Sequence, residues 1–306
     1  MTDTCKAAEI FLKEKKIQFE TGRRLSQDST FRIGGEAAVA AFPDDTDQLC
    51  SAIGFFRANG VYFTVIGKGS NVLFSDEGFD GVVIFTSKLN RISADGNILT
   101  AECGVPVTYL SSAAQKKSLS GLEFAYGIPG TVGGAVFMNA GAYGGEMKDV
   151  ISKVSFFDPE TGVTGTISAD ECRFGYRESS FQHSENVILS ASFSLHPRDS
   201  GLIKADMDDY MSRRREKQPL EFPSAGSTFR RYPGYFTAKL IDDAGLKGFS
   251  VGGAQVSEKH AGFVINRGNA TAADVLALVD EIKKRIFEIN GINIECEIRY
   301  IPYSVN

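Results

Sequence analysis

A short turn, Gly67-Lys68-Gly69-Ser70-Asn71, holds the residues best suited to bind an anion through the backbone. It follows a run of β-branched and aromatic residues, and successive backbone N–H groups in such a turn can bind a phosphate. The turn is not a Rossmann fingerprint, because Val72 stands where the third glycine belongs and no helix pattern follows. It also lacks the Gly-Lys-Ser/Thr ending of a P-loop. An amide nest for a pyrophosphate and an ordinary strand-to-strand turn both fit this segment alone.

A second segment, from Gly121 to Gly145, is rich in glycine and almost uncharged. Ile128, Val132 and Phe137 make it too apolar for a solvated tether. Buried N–H groups without acceptors cost about 1–3 kcal/mol each, so a bound diphosphate is the expected partner. The residues predicted to bind a cofactor here are Gly127, Ile128, Pro129, Gly130, Thr131, Gly133, Gly134, Gly141 and Ala142.

Together the two segments resemble the FAD-binding domain of the vanillyl-alcohol-oxidase (PCMH) type. The longer pattern, residues 128–134 followed by 139–144, resembles the UDP-N-acetylenolpyruvoylglucosamine reductase family. The likeness continues through residues 176–179, 223–229, 252–261 and 295–299, and so covers about residues 25–301. It implies noncovalent FAD, NADPH as co-substrate and a nucleotide sugar as substrate. The implied reaction reduces UDP-N-acetylglucosamine enolpyruvate to UDP-N-acetylmuramate, a step in peptidoglycan precursor synthesis.

The resemblance implies three catalytic residues, Arg177, Ser227 and Glu297. In that reaction a hydride passes from flavin N5 to C3 of the enolpyruvyl ether, and charge develops at C2 and the carboxylate. Arg177 would bind this charge, since a guanidinium fork suits a carboxylate. Glu297 would assist in a neutral or hydrogen-bonded form, with the nearby Glu295 as its solvated counterpart. Ser227 would give the proton to C2.

The resemblance also implies ligand contacts from Lys217 and His260. The loop at residues 230–234 departs from the family pattern, which puts an Asn-based contact in doubt and lets Arg231 bind a diphosphate instead. Only fifty positions separate Arg177 from Ser227, which indicates the shorter subtype without the inserted substrate-covering loop. Covalent attachment of the flavin through His183, His196 or His260 is not expected, because none stands in the glycine segments.

Composition excludes several classes of protein. The net charge of -5 argues against a nucleic-acid partner. The basic run Arg213-Arg214-Arg215 is followed by Glu216 and predicts a solvated helix face. No apolar stretch is long enough for a membrane span or a signal peptide. The five cysteines are scattered without metal-ligand spacing, which is typical of reduced thiols and predicts a cytoplasmic protein without a metal.

The periodicity predicts an α+β fold. An FAD-binding domain of two lobes is expected at residues 1–198, split near residues 90–100, followed by a smaller α/β substrate-binding domain at residues 199–306. A capping box at Thr271 and Asp274 begins the last helix, and Gly291 ends it. The other helices are expected at residues 4–19, 46–59, 107–117, 202–217 and 236–244, and strands at 37–42, 61–66, 81–85, 97–103, 151–157, 187–195 and 292–301.

Three other functions fit parts of the sequence. One is a sugar or alcohol oxidase with the same flavin fold, which would not be expected to keep Ser227 and Glu297 together. Another is a flavin-binding sensor without catalysis, which would be coloured but would not turn over NADPH. The third is a nucleotide-sugar binding module without flavin, which an absorption spectrum would exclude.

Overall fold

The structure is a computed structural model that describes residues 2–232 and 234–304. Its helices are α1 (Asp3–Glu14), α2 (Thr46–Ala58), α3 (Val107–Lys116), α4 (Val132–Phe137), α5 (Ser200–Lys217), α6 (Thr237–Asp243) and α7 (Ala272–Asn290). The first nine strands are β1 (Gln18–Arg24), β2 (Glu36–Phe42), β3 (Phe63–Ile66), β4 (Val72–Phe74), β5 (Phe79–Phe85), β6 (Ile92–Asp95), β7 (Ile98–Glu102), β8 (Leu119–Ser120) and β9 (Gly141–Ala142). The others are β10 (Gly145–Glu146), β11 (Ile151–Asp158), β12 (Val163–Ser168), β13 (Val187–Ser194), β14 (His196–Pro197), β15 (Ser250–Val251), β16 (Ala254–Val256), β17 (Val264–Asn266) and β18 (Arg299–Ile301).

The chain divides into two compact units. Unit 1 comprises the residues up to Thr21, Val39–Lys68 and Gly81–Arg214. Unit 2 comprises Gly22–Ala38, Gly69–Asp80 and the residues from Arg215 onward. These units differ from the predicted ranges of 1–198 and 199–306. The segment near residue 198 stays in unit 1 because β14 pairs with β8, and Arg198 N–H donates to the Ser118 carbonyl at 3.0 Å.

Unit 1 contains most of a four-stranded sheet and all of a five-stranded sheet. The first has the order β1-β2-β5-β3, with β3 and β5 parallel, and helices α1 and α2 contact each other through stacked Phe11 and Phe55. The second is antiparallel in the order β12-β11-β13-β7-β6. The chain leaves the first sheet at Phe85 and enters the second at Ile92, near the predicted division between two lobes.

Unit 2 is built around helix α7. Its buried stripe includes Val275, Leu278, Ile282 and Ile286, and it belongs to a core shared with Phe31. The three-stranded sheet β15-β16-β17 lies in this unit, and β18 pairs in parallel with β4. Strand β18, from the C-terminal part of the chain, therefore pairs with residues 72–74. This pairing is why the segment around β4 belongs to unit 2.

Helix α7 confirms the predicted capping box. Thr271 Oγ1 accepts from Asp274 N–H at 3.0 Å, and Asp274 accepts in return from Thr271 N–H at 3.0 Å. Gly291 ends the helix with a φ of 68°, a left-handed conformation that glycine adopts without steric cost.

Three predicted elements are wrong in extent. The first helix ends at Glu14 rather than residue 19, since Lys16 adopts a left-handed φ of 57° and the chain continues as β1. The glycine-rich segment predicted as loop contains helix α4. The last strand is limited to Arg299–Ile301, and the extended residues before it make one isolated bridge, between Phe229 and Cys296.

Candidate active site

The turn at residues 67–71 presents a row of backbone donors. Within the described residues, the N–H groups of Lys68, Gly69, Ser70 and Asn71 have no protein acceptor. Gly69 has a φ of 58°, and a Cβ there would lie 2.3 Å from the Asp28 carbonyl oxygen, so only glycine fits. Successive free amides in a tight turn are the arrangement that binds phosphate oxygens.

The second glycine segment meets the first within unit 1. A Cβ on Gly67 would lie 2.2 Å from Oγ1 of the buried Thr131, so the two predicted segments are in direct contact. Thr131 is the N-cap of α4, and the N–H groups of Gly130 and Thr131 have no protein acceptor among the described residues. By contrast, Gly133 N–H donates to the Cys103 carbonyl at 2.8 Å, which fixes the start of α4 against β7.

Arg177 lies in a tight turn of unit 1, where Gly175 and Glu178 form an isolated bridge. Its φ is 55°, an uncommon conformation for a residue with a side chain. The guanidinium Nη2 donates to the Gly141 carbonyl at 3.1 Å, and the carbon Cζ lies 5.1 Å from the Tyr176 ring centre. The predicted catalytic arginine is therefore in contact with Gly141 of the predicted cofactor segment.

Two residues that were not among the predicted site residues hold this turn. Asn139 is fully buried, and its Nδ2 donates to Gly175 O at 2.8 Å and to Glu146 Oε2 at 2.9 Å. Its Oδ1 accepts from Lys148 N–H at 3.0 Å. Gln182 Nε2 donates to the Arg177 carbonyl at 2.9 Å. The buried Asn139 amide bonds to backbone through both its nitrogen and its oxygen, which indicates that it positions the turn of Arg177. Its partner Gly175 is far away in the chain, so a sequence does not reveal this contact.

In unit 2 the segments that contain Ser227 and Glu297 run side by side. Glu297 N–H donates to the Thr228 carbonyl at 2.8 Å, and Arg230 N–H donates to the Glu295 carbonyl at 2.9 Å. The Phe229–Cys296 bridge between them is antiparallel. Ser227 therefore stands one residue before the backbone partner of Glu297. Ser227 itself is exposed and follows Gly226, which has a φ of 78°.

The first glycine turn also contacts Glu297. Asn71 Nδ2 donates to the Glu297 carbonyl at 3.3 Å, and the Asn71 carbonyl accepts from Arg299 N–H at 3.0 Å. The two glutamates of this segment differ in environment: the Glu295 side chain is 75% exposed, whereas Glu297 is partly buried. This difference separates the predicted catalytic glutamate from its solvated neighbour.

His260 is connected to the segment that contains Ser227 by two hydrogen bonds. Its Nδ1 accepts from Gly262 N–H at 3.1 Å, and the Gly262 carbonyl accepts from Thr228 N–H at 2.8 Å. Burial lowers the pKa of His260 below its ordinary value of 6.5, and the charge of Lys247 lowers the pKa further. The ring is therefore neutral at pH 7 and carries its proton on Nε2, which leaves an N–H donor for a ligand.

The other predicted ligand residues are exposed in unit 2. Lys217 is the last residue of α5, and Lys259 Nζ donates to the Arg215 carbonyl at 2.8 Å at the same helix end. Arg231 Cζ lies 5.7 Å from the ring centre of Phe236. Pro233, part of the departing loop, lies outside the described residues.

The prediction of a solvated arginine run is wrong at Arg214. Arg213 and Arg215 are exposed, but Arg214 lies partly buried in unit 1, where its Cδ is 3.0 Å from the position of a Cβ on Gly127. The spacing of residues in α5 could have predicted this partial burial. One face of the helix holds Ile203, Met207, Tyr210 and Arg214, and the first two are core residues.

No described helix has the length and apolarity that crossing a bilayer requires. In the residues the structure covers, no three His, Cys, Asp or Glu side chains gather as a metal site. All five cysteines are free thiols. Burial raises the pKa of Cys103, the cysteine beside Gly133, to about 12, so this thiol is protonated and inert.

These features define a flavin-dependent oxidoreductase of α+β fold. Residues 37–167 match the family described as FAD binding domain, and residues 218–301 match UDP-N-acetylenolpyruvoylglucosamine reductase, C-terminal domain. The chain is 45% identical to UDP-N-acetylenolpyruvoylglucosamine reductase of Caldanaerobacter subterraneus over 95% of both chains. It is 46% identical to the reductase of the same name from Caldicellulosiruptor bescii, over 96% of this chain and 94% of that protein. The chain belongs to the UDP-N-acetylenolpyruvoylglucosamine reductase family.

Solved structures agree with this membership. The crystal structure of UDP-N-acetylenolpyruvylglucosamine reductase from Thermus caldophilus superposes with a TM-score of 0.81 at 31% identity, covering 94% of this chain and 100% of that one. BBE-like 1 from Physcomitrella patens superposes with a TM-score of 0.50 at 15% identity, over 62% of this chain and 44% of that one, a likeness of fold alone. The predicted fold class and resemblance are confirmed. The segment between Arg177 and Ser227 holds β13, β14 and α5.

The residues present fit FAD. The turn at residues 67–71 and the segment at 127–134 supply amide donors without protein acceptors, and glycines stand where side chains would fill the space. These two segments would hold the diphosphate of the cofactor.

Proposed function

We propose that this chain reduces UDP-N-acetylglucosamine enolpyruvate to UDP-N-acetylmuramate with NADPH as reductant, a step in peptidoglycan precursor synthesis. The observation that carries the proposal is the backbone pairing of the segment that contains Ser227 with the segment that contains Glu297, in a chain of this family. When bound, FAD would supply the hydride-transfer chemistry that couples oxidation of NADPH to reduction of the enolpyruvyl C=C bond.

Arg177 binds the carboxylate next to C2, where negative charge develops. Its guanidinium can form two parallel hydrogen bonds to a carboxylate, and its backbone is fixed by Gln182 before substrate arrives. Prearranged donors of this kind stabilise developing charge because they need no reorientation during the reaction.

Ser227 donates the proton that completes the product at C2. A hydroxyl is a weak acid, so it transfers a proton only to a strongly basic carbon such as this one. Glu297, on the paired segment, assists in a protonated or hydrogen-bonded form, because an ionised carboxylate would repel the charge that forms at C2. Lys217, Arg231 and His260 bind the phosphates or sugars of the nucleotide substrates. Lys217 and Arg231 are exposed cations, which suit phosphate groups, and the neutral His260 ring offers an N–H donor.

The test is Ser227→Ala in the FAD-loaded protein, with both half-reactions followed by stopped-flow absorbance of the flavin. Reduction by NADPH stays within about threefold of wild type, because it needs no proton at C2. Oxidation by the enolpyruvyl sugar slows by about 10²–10⁴-fold, the usual contribution of a general acid.

Two further variants sharpen the test. Ser227→Cys regains part of the lost rate, since a thiol can donate a proton. Ser224→Ala, a serine of the same loop, keeps both rates. Equal slowing of the two half-reactions in Ser227→Ala, or loss of FAD, would show that Ser227 shapes the loop and is not the donor.

A further inference from the structure

Arg214 lies on the apolar face of helix α5. It lies four residues after Tyr210 on the face of α5 that continues from the buried Ile203 and Met207. Tyr210 stacks on Tyr143 with ring centres 4.7 Å apart. The α5 face thus contacts both parts of the glycine-rich segment, Tyr143 through Tyr210 and Gly127 through Arg214.

The charge of Arg214 has no carboxylate partner among the described residues. The acid one turn earlier, Asp209, pairs instead with Arg213 at 2.7 Å. Burial lowers the pKa of Arg214, while the nearby Tyr143 raises it. Partial burial of a guanidinium without an anion is unfavourable, and a bound negative group would compensate for it.

We propose that Arg214 is an anion-binding residue of the cofactor site, whose guanidinium binds a phosphate group of a nucleotide held by the segment at residues 127–134. Two parallel N–H donors match phosphate oxygens, and the partly exposed face leaves a path for the ligand. The phosphate belongs either to FAD or to a nucleotide substrate, and the chemistry is the same. The FAD alternative rests on the FAD-binding family alone; the substrate alternative rests on the proposed function.

The first experiment measures FAD release from purified holoprotein by flavin fluorescence across a dilution series. Arg214→Gln raises the dissociation constant of FAD by about 10- to 100-fold, the usual effect of removing a charged hydrogen-bond donor. Arg214→Lys, which keeps the charge but loses the fork, gives a smaller rise. The matched control is Arg213→Gln, the adjacent ion-paired residue, which leaves the constant within about threefold.

The second experiment titrates FAD-saturated protein with UDP or with NADP⁺ and follows the flavin spectrum. Unchanged FAD release with at least tenfold weaker binding of either nucleotide assigns Arg214 to a substrate phosphate and supports the proposal in that form. The proposal is overturned if neither affinity changes by more than about threefold. Equal losses in Arg213→Gln, or a lower melting temperature of Arg214→Gln with unchanged affinities, also overturn it. Neither FAD release nor nucleotide binding depends on Ser227. Failure of the proposed reaction is therefore distinguished from failure of the proposed role of Arg214.

Discussion

Arg177 and Glu297 are each fixed through the main chain. Gln182 donates to the carbonyl of Arg177, and Asn71 donates to that of Glu297. The backbone position of each residue is therefore set by the amide of a side chain that does no chemistry. Asn139 extends the same arrangement, because it joins the turn of Arg177 to Glu146.

At the residue scale, His260 predicts a pH dependence of stability. The folded-state pKa of His260 is lowered by burial, so the unfolded chain takes up this proton at higher pH than the folded chain. The contribution of the neutral His260 ring to the free energy of unfolding is complete above pH 6.5. This contribution is lost as the pH falls below 6.5 toward the pKa of the folded state. We expect the free energy of unfolding of wild type to fall further than that of His260→Asn between about pH 7.5 and about pH 5.5.

Urea denaturation at each pH measures the difference. Asn can accept from Gly262 N–H through Oδ1 and does not titrate, so the variant isolates the proton. His196→Asn, at an exposed strand edge, serves as the control and keeps the wild-type slope. Parallel pH profiles of wild type and His260→Asn would contradict the prediction.

At the scale of elements, the start of α7 is capped twice. The capping box is local, but Asp76 also accepts from Ala272 N–H at 2.7 Å and from Ala273 N–H at 3.0 Å, although it is 196 residues away from Ala272 in the chain. A carboxylate at a helix N-terminus satisfies N–H groups and interacts favourably with the helix dipole. The start of α7 is therefore hydrogen-bonded to the segment around β4, within unit 2.

Asp76→Ala should lower the free energy of unfolding by about 1–2 kcal/mol, the usual loss for a cap residue. Urea midpoints with an unchanged m-value measure it. The adjacent and exposed Glu77 provides a matched control, and Glu77→Ala is expected to change stability by less than about 0.5 kcal/mol. An Asp76→Ala variant as stable as the control would mean that solvent caps the helix equally well.

At the scale of the whole molecule, FAD is expected to be bound without a covalent bond. Residues 67–71 and 127–134 contain no histidine or cysteine, and Cys103 beside Gly133 is a protonated thiol. Purified protein should be yellow, and acid precipitation should release intact FAD to the supernatant, where its spectrum and fluorescence identify it. Flavin that stays with the pellet would contradict this expectation, and colourless protein that does not bind added FAD would contradict the cofactor assignment.

Much of the architecture was determined by the sequence itself, wherever the governing interactions are local. The capping box and Gly291 set the ends of α7 because their partners lie within one helical turn. The glycines of residues 67–71 and 127–134 marked the candidate cofactor loops, since the absence of a side chain is visible in the sequence. The motif resemblance supplied Ser227 and Glu297, which no local pattern would have separated from ordinary polar residues.

Only the tertiary structure decided which distant segments meet. It paired Thr228 with Glu297 and made Glu297 less exposed than Glu295, although both glutamates have the same local pattern. It placed Arg214 partly out of solvent on a helix whose charged run predicted a solvated face. It also assigned residues 22–38 and 69–80 to the unit that contains the C-terminal helix. The physical reason is that periodicity fixes which face of a segment is apolar, whereas packing between segments far apart in the chain decides what that face meets.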